Sequence, residues 1–252
     1  MVKLKSDKQI EGIRGSSKIL AQVLKELSAM VEPGISTADL DSHARKRISE
    51  LGGTPAFLGY MDFPAAICTS VDSAIIHGIP NKTPLREGQV VSIDCGINLE
   101  GYYSDSAVSV RVGGVSEEVD RLLRTAQESL DLGIEAARVG NRVYDISRAI
   151  YRHNKQQGYG IVRPYCGHGI GLEIHEDPQI PNYVGSGPNP RLKPGMVVAI
   201  EPMINLGGDA ITVLDDDWTV VTRDGSVSAH FEHTVAILKD RTEVLTSRDG
   251  VG

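Results

Sequence analysis

Two histidines seven residues apart, three glycines and an acidic pair share the twelve residues GHGIGLEIHEDP, from Gly167 to Pro178. A glycine-rich stretch of this composition suits one of two tasks: cradling a phosphate on backbone amides, or bringing a metal-ligating imidazole against neighbouring chain. The phosphate reading fails on spacing. Gly171 is followed by Leu172, no G-x-G-x-x-G is completed, and the preceding GYGIVRPYC is interrupted by Pro164. The glycines are therefore expected to bend the backbone sharply, turning His168 towards a metal and His175 towards a substrate.

Carboxylates at the ends of apolar runs point the same way. Asp94 follows VVSI and Glu201 follows VVAI, and an ionised carboxylate inside a core costs several kcal/mol unless a cation compensates it. A metal is the natural candidate, with an arginine folding in from a distance as the alternative. A turn about Asn98–Gly101 would set Asp105 directly opposite Asp94 in a hairpin, where like charges on one face destabilise a bare sheet. Glu232 lies in SAHFEHTVAIL, again a strand-like run, flanked by His230 and His233. Asp94, Asp105, His168, Glu201 and Glu232 thus form a hard, oxygen-rich donor set. Its negative charge is too great for one divalent ion and suited to two, chosen from Co, Mn, Fe(II) or Zn. Such a pair activates water and polarises a scissile carbonyl. Glu201 is the candidate general base and acid, with Glu232 as its rival.

The elements that must position these residues follow from periodicity. Ile10, Ile13, Leu20, Leu24, Leu27 and Val31 recur at helical spacing from Ser6 to Pro33-Gly34, and a second helix runs from a Ser36 or Thr37 cap to Gly52-Gly53. TPAFLGY, AAICTSV and VVSIDCGI read as strands. The same order then returns: a helix capped at Ser116, another in NRVYDISRAIYRHNKQQGYG, and a strand in MVVAIEPMI. LREGQVVSID (85–94) matches LKPGMVVAIE (192–201) at most positions, and Gly34-x4-Asp39-Leu40 matches Gly140-x4-Asp145-Ile146. This indicates a single domain over 1–252 with an internal repeat of about 1–112 and 113–245. Two α/β halves related by a pseudo-two-fold axis are expected to merge their strands into one curved sheet covered by helices.

The chain has 252 residues, 40% hydrophobic and 23% charged, with a net charge of −7. That balance argues against a nucleic-acid or anionic-membrane partner. No secretory h-region or membrane-spanning run is present, so a cytoplasmic protein is expected. Cys68, Cys95 and Cys166 lack CxxC spacing and read as reduced thiols.

The five donors, in order, together with HGIP (77–80), GHGIGLEIHEDP, VVAIEP and FEHTVAI, resemble the type I methionine aminopeptidases of the pita-bread fold, over nearly the whole chain. The resemblance implies an α+β fold and a dinuclear metallo-exopeptidase. Such an enzyme removes the initiator methionine from nascent chains when the next residue is small. It implies that the five donors bind metal, that Glu201, His77 and His175 act in catalysis, and that His77 and His175 also contact substrate. The matching methionine-pocket positions are Tyr60, Phe63, Cys68, Ile174 and Trp218. Ile174 stands where many relatives carry an aromatic residue, and YMDFP has Met61-Asp62 where many have a glycine before the aromatic residue. The implied partners are a nascent polypeptide and the ribosome near its exit tunnel, with the enzyme a monomer. Met1-Val2 would itself be a substrate. The rivals are an X-Pro peptidase of the same fold and a non-catalytic binding protein built on it.

Overall fold

The computed structural model describes residues 2–249, so the reading of Met1 as a removable residue lies outside the described range. Helix α1 (Asp7–Met30) starts at Ser6, whose hydroxyl accepts from the Gln9 amide while the Gln9 side chain accepts from the Ser6 amide. Helix α2 (Thr37–Glu50) is capped in the same reciprocal way by Ser36 and Asp39. Helices α3 (Glu117–Ala136), capped by Ser116, and α4 (Val143–Gln156) form the second pair.

The strands form four antiparallel ladders. In the first, β4 (Val90–Leu99) pairs with β1 (Thr54–Pro55) and β2 (Ile67–Val71) along one edge and with β5 (Tyr102–Arg111) along the other. A second ladder joins β6 (Gly160–Ile161), β10 (Met203–Asn205) and β13 (Ser228–His230). A third joins β3 (Ala74–Ile76), β12 (Val220–Thr222) and β11 (Ile211–Val213). The fourth runs in the order β15 (Thr242–Val244), β14 (His233–Ile237), β9 (Met196–Ile200), β7 (Gly167–Gly169) and β8 (Glu176–Ile180). The first and fourth meet where the Glu232 amide donates to the Ala107 carbonyl at 3.0 Å and Thr234 Oγ1 bridges the Asp105 backbone.

Strand alternation decides which side chains reach the site. Along β4, Val91, Ile93, Cys95 and Ile97 pack with Leu20, Leu24 and Leu27 of α1 and Leu40, Ala44 and Ile48 of α2. Asp94 and Gly96 therefore face away from the helices. Along β9, Met196, Val198 and Ile200 pack with α3 and α4 residues such as Leu122, Leu130, Ile146 and Ile150, while Val197 belongs to the opposite cluster. Glu201 continues that second face. The two helix pairs thus cover one side of the strands and leave the acids on the other.

Two expectations need correction. TPAFLGY is strand only at Thr54–Pro55; the rest turns into a single 3₁₀ turn at Tyr60–Asp62, entered through Gly59 at φ 79. The hairpin register also differs. Its turn is Glu100-Gly101, at φ 52 and 86, a pair of left-handed residues that suits the twist of a two-residue hairpin. Asn98 stays in the ladder opposite Tyr103, so Asp94 faces Ala107 and Asp105 faces Gly96. The two aspartates are diagonal neighbours on one face rather than directly opposed.

Candidate metal centre and active site

Asp94 and Asp105 project from the middle of the β4–β5 hairpin, whereas the glutamates sit where strands end. Glu201 follows β9 immediately before Pro202, and Glu232 occupies the break between β13 and β14. His168 is the middle residue of β7, and its flanking glycines are explained by crowding rather than bending. A Cβ on Gly167 would lie 2.3 Å from the Ala199 carbonyl oxygen, and one on Gly169 would lie 2.1 Å from that of Asp177. Neither has a positive φ. Only Gly171, at φ 131, carries the bend that the sequence assigned to all three.

One ligand atom from each of Asp105, His168 and Glu232 falls within 4.8 Å of the others, and all three residues are buried. His168 Nε2 lies 3.9 Å from Asp105 Oδ2 and 3.7 Å from Glu201 Oε1. Asp94 lines the same cavity, of about 670 Å³. Asp94 Oδ1, Asp105 Oδ1 and Glu232 Oε1 are buried with no protein hydrogen-bond partner, an arrangement that costs free energy unless a cation completes it. His168 Nδ1 donates to the Gly169 carbonyl at 3.0 Å, since a carbonyl only accepts. Nε2 therefore presents a lone pair to the carboxylates, the orientation typical of a metal-ligating histidine. The donor set fits hard divalent ions.

Without a cation, burial drives the carboxyl groups towards their neutral forms. Removal from water raises Asp94 to about 7, and removal from water plus the Asp94 charge raises Glu201 to about 8. Asp105 and Glu232 are pushed well above the usual carboxylate range, first by burial and then by the neighbouring acids. Burial lowers His168 to about 3, and burial with the nearby His175 lowers His77 to about 4. Burial also lowers His175. These imidazoles are neutral near pH 7, free to accept or donate.

His77, at φ 59, packs edge-on to Tyr165 at 5.5 Å and to Trp218 at 6.3 Å. The His175 ring is 4.4 Å from that of His168, and its Nδ1 shares a 2.9 Å hydrogen bond with the Tyr60 hydroxyl. Tyr60, Phe63, Cys68, His77, His175 and Trp218 all line the cavity. Phe63 meets Trp218 edge-on at 5.0 Å. Ile174 is the exception among the pocket positions: it is buried behind the wall beside Phe57, with Cδ1 at 3.2 Å from where a Gly96 Cβ would stand. Cys68 and Cys95 are buried, and the three cysteines are free.

Sequence reasoning missed Phe57, Ile76, Tyr165 and Gln179, which also line the cavity, as does Met61. Tyr165, three residues before His168, was recoverable by adjacency; the others carry no mark that separates them from ordinary packing. His230 was noticed without a role. It is buried, both its ring nitrogens lack partners, and Nε2 is 3.8 Å from Glu201 Oε2.

An antiparallel α+β scaffold with a buried carboxylate cluster and an imidazole lone pair turned into it is the arrangement expected of a metallohydrolase. Residues 11–239 match the model of metallopeptidase family M24, and the chain belongs to that family. It is 49% identical to a methionine aminopeptidase of Treponema pallidum over 98% of this chain and 96% of that protein. A crystal structure of methionine aminopeptidase from Rickettsia prowazekii, 38% identical, superposes with a TM-score of 0.95 over 98% of this chain and 100% of that one. A prolidase from Pyrococcus furiosus shares the fold at a TM-score of 0.80 and 24% identity; this chain spans 65% of it. The fold is the α+β pita-bread type. Among the described residues no helix is long and apolar enough to cross a membrane.

Proposed function

We propose that this chain is a methionine aminopeptidase that hydrolyses the bond after an N-terminal methionine when the second residue is small. The observation that carries the reading is the convergence of Asp94, Asp105, His168, Glu201 and Glu232 at an apolar-walled cavity. The four carboxylates call for two divalent ions, of Co, Mn, Fe(II) or Zn, as His168 alone adds no charge. Bound there, the metal supplies Lewis-acid polarisation of the carbonyl and acidification of water.

The protein's own groups do the rest. Glu201 takes a proton from the attacking water and delivers it to the departing amine, a task suited to a carboxylate that lines the cavity. Neutral His175, oriented by Tyr60, meets the substrate's carbonyl or amide region, and neutral His77 helps bind the substrate and stabilise the transition state. Phe63, Cys68, Trp218 and the Tyr60 ring receive the methionine side chain, whose thioether favours aromatic edges. Ile174 acts on the pocket through Phe57. The domain is single over 1–252, with the repeat 1–112 and 113–245 supported by the two helix pairs, each followed by a strand that leads into an acid. The setting is cytoplasmic and the enzyme monomeric. Its partner is the nascent polypeptide as it leaves the ribosome, with no nucleic acid and no membrane bound.

Metal-reconstituted protein offered Met-Gly-Xaa and Gly-Pro-Xaa peptides separates the candidates. Release of free methionine from the first alone is expected. Cleavage of only the proline peptide would overturn the reading in favour of an X-Pro peptidase.

A further inference from the structure

The short arm before α1 carries a buried lysine that no step above uses. The side chains of Lys5 and Glu176 are each 1% exposed and meet at 2.7 Å. Glu176 Oε1 accepts from the Leu172 amide at 2.8 Å and the Glu173 amide at 3.2 Å, while Oε2 accepts from Lys5 Nζ. One carboxylate thus closes the loop 171–176 on itself and ties it to the arm. Lys5 is fixed in turn: Nζ donates to the Lys3 carbonyl at 3.2 Å, and its amide donates to the Gly195 carbonyl at 2.7 Å. The Gly195 amide donates to Ile237 of β14, so the arm is anchored to the ladder that carries His168. Gly171 lies flat on this arm and α1, since a Cβ there would stand 2.4 Å from Ile13 Cδ1 and 3.3 Å from Lys5 Cε.

His175 is the residue immediately before Glu176. Its own side chain faces the open cavity, where it touches Tyr60 and the His168 ring, and its backbone position is set by the loop. A buried ion pair is weak as a source of stability, because desolvation consumes most of the attraction. As a geometric fastening it is strong: three donors converge on one carboxylate, with little water to screen them.

We propose that Lys5 is a positioning residue of the active site, holding the loop 171–176 through Glu176 and so fixing the His175 imidazole against the cavity. The proposal rests on the reading of His175 as a substrate-contacting group. Displacing such a group by about 1 Å costs on the order of ten- to a hundredfold in rate.

Lys5→Met, made in the parent and in His175→Ala protein, tests it, with Arg47→Met as a control that breaks the remote Arg47–Glu26 pair. Expected for Lys5→Met in the parent is a fall in kcat of about tenfold for Met-Gly-Xaa, with KM and bound metal little changed. In the His175→Ala background no further loss is expected. Amide hydrogen exchange at Leu172 and Glu173 should quicken in Lys5→Met and stay unchanged in Arg47→Met, whether or not the protein turns over substrate. Unchanged exchange at these amides, or an equal kcat loss in both backgrounds, overturns the proposal. If the parent protein releases no methionine, the functional reading fails, while exchange still decides the fastening. Should Lys5→Met not fold, Lys5→Met/Glu176→Gln leaves no lone buried charge and carries the same comparison.

Discussion

Asp94 and Glu201 were legible because each breaks a local rule: a carboxylate directly after four apolar or small residues of a buried run must be compensated by a cation, and no basic residue stands beside either. The pocket wall offered no such contradiction. Phe57 and Ile174 are both apolar residues with default reasons to be buried, and only coordinates separate the one that lines the cavity from the one behind it. The backbone accounts for the aspartate of the departure Met61-Asp62, while nothing in the structure explains the methionine. Both residues adopt left-handed backbone, at φ 47 and 70, where glycine is ordinarily free and aspartate is among the tolerated exceptions. Two substitutions separate the roles assigned here. Asp105→Asn removes a charged donor from the cluster and is expected to lower metal content and activity together, the latter by at least about a hundredfold, since metal and rate depend on the same carboxylate. His77→Ala should retain metal by elemental analysis while kcat falls. Loss of metal in His77→Ala would mean that this histidine is itself a ligand.

At the scale of elements, the caps at Ser6 and Ser116 could be read directly and that of α2 to within one residue, Ser36 or Thr37, because a hydroxyl before an amphipathic run has a specific job on orphan amides. The hairpin could not be placed to the residue. Asn98 looks like a turn former and remains in the ladder, its Oδ1 accepting from the Gly101 amide at 2.9 Å, so the turn centre moves one position along. The glycines of β7 were visible but misread, since close approach and bending leave the same mark in a sequence. Gly169→Ala distinguishes them. A methyl 2.1 Å from the Asp177 carbonyl must push β7 from β8, costing about 1–3 kcal/mol or more by denaturant unfolding and weakening metal binding through His168. Near-parent stability for this variant would argue against close approach as the reason for glycine.

For the whole molecule, the buried carboxylates and histidines set how stability depends on pH. In metal-free protein Asp94 and Glu201 have folded values near 7 and 8, above their ordinary values of 3.8 and 4.5. Their contribution is therefore present in acid and lost as pH rises through 7 and 8. The buried histidines act in the opposite sense. His77 near 4, and His168, His230 and His233 near 3, lie below the usual 6.5, so their contribution is present above 6.5 and lost as pH falls towards 3 or 4. The two effects oppose each other between about pH 4.5 and 6.5, and above 6.5 only the carboxylates still act, so thermal melts in chelator should show Tm falling from about pH 6.5 to 8. The rise in Tm on adding Mn(II) should grow from pH 6 to 8.5, as ligands that must ionise do so more readily. A metal-free Tm that increases across pH 6–8.5 would contradict the assignment of these carboxylates to one cation site.

The most direct measurement of the central claim is a metal titration of chelator-stripped protein, read as free methionine released from Met-Gly-Xaa, in the parent and in Glu232→Gln. The parent should be silent without metal and become active as Mn(II) or Co(II) is added, while Glu232→Gln, lacking one of the buried carboxylates, should recover little or nothing over the same range. Undiminished methionine release in chelator, or a Glu232→Gln titration indistinguishable from the parent, would contradict the account.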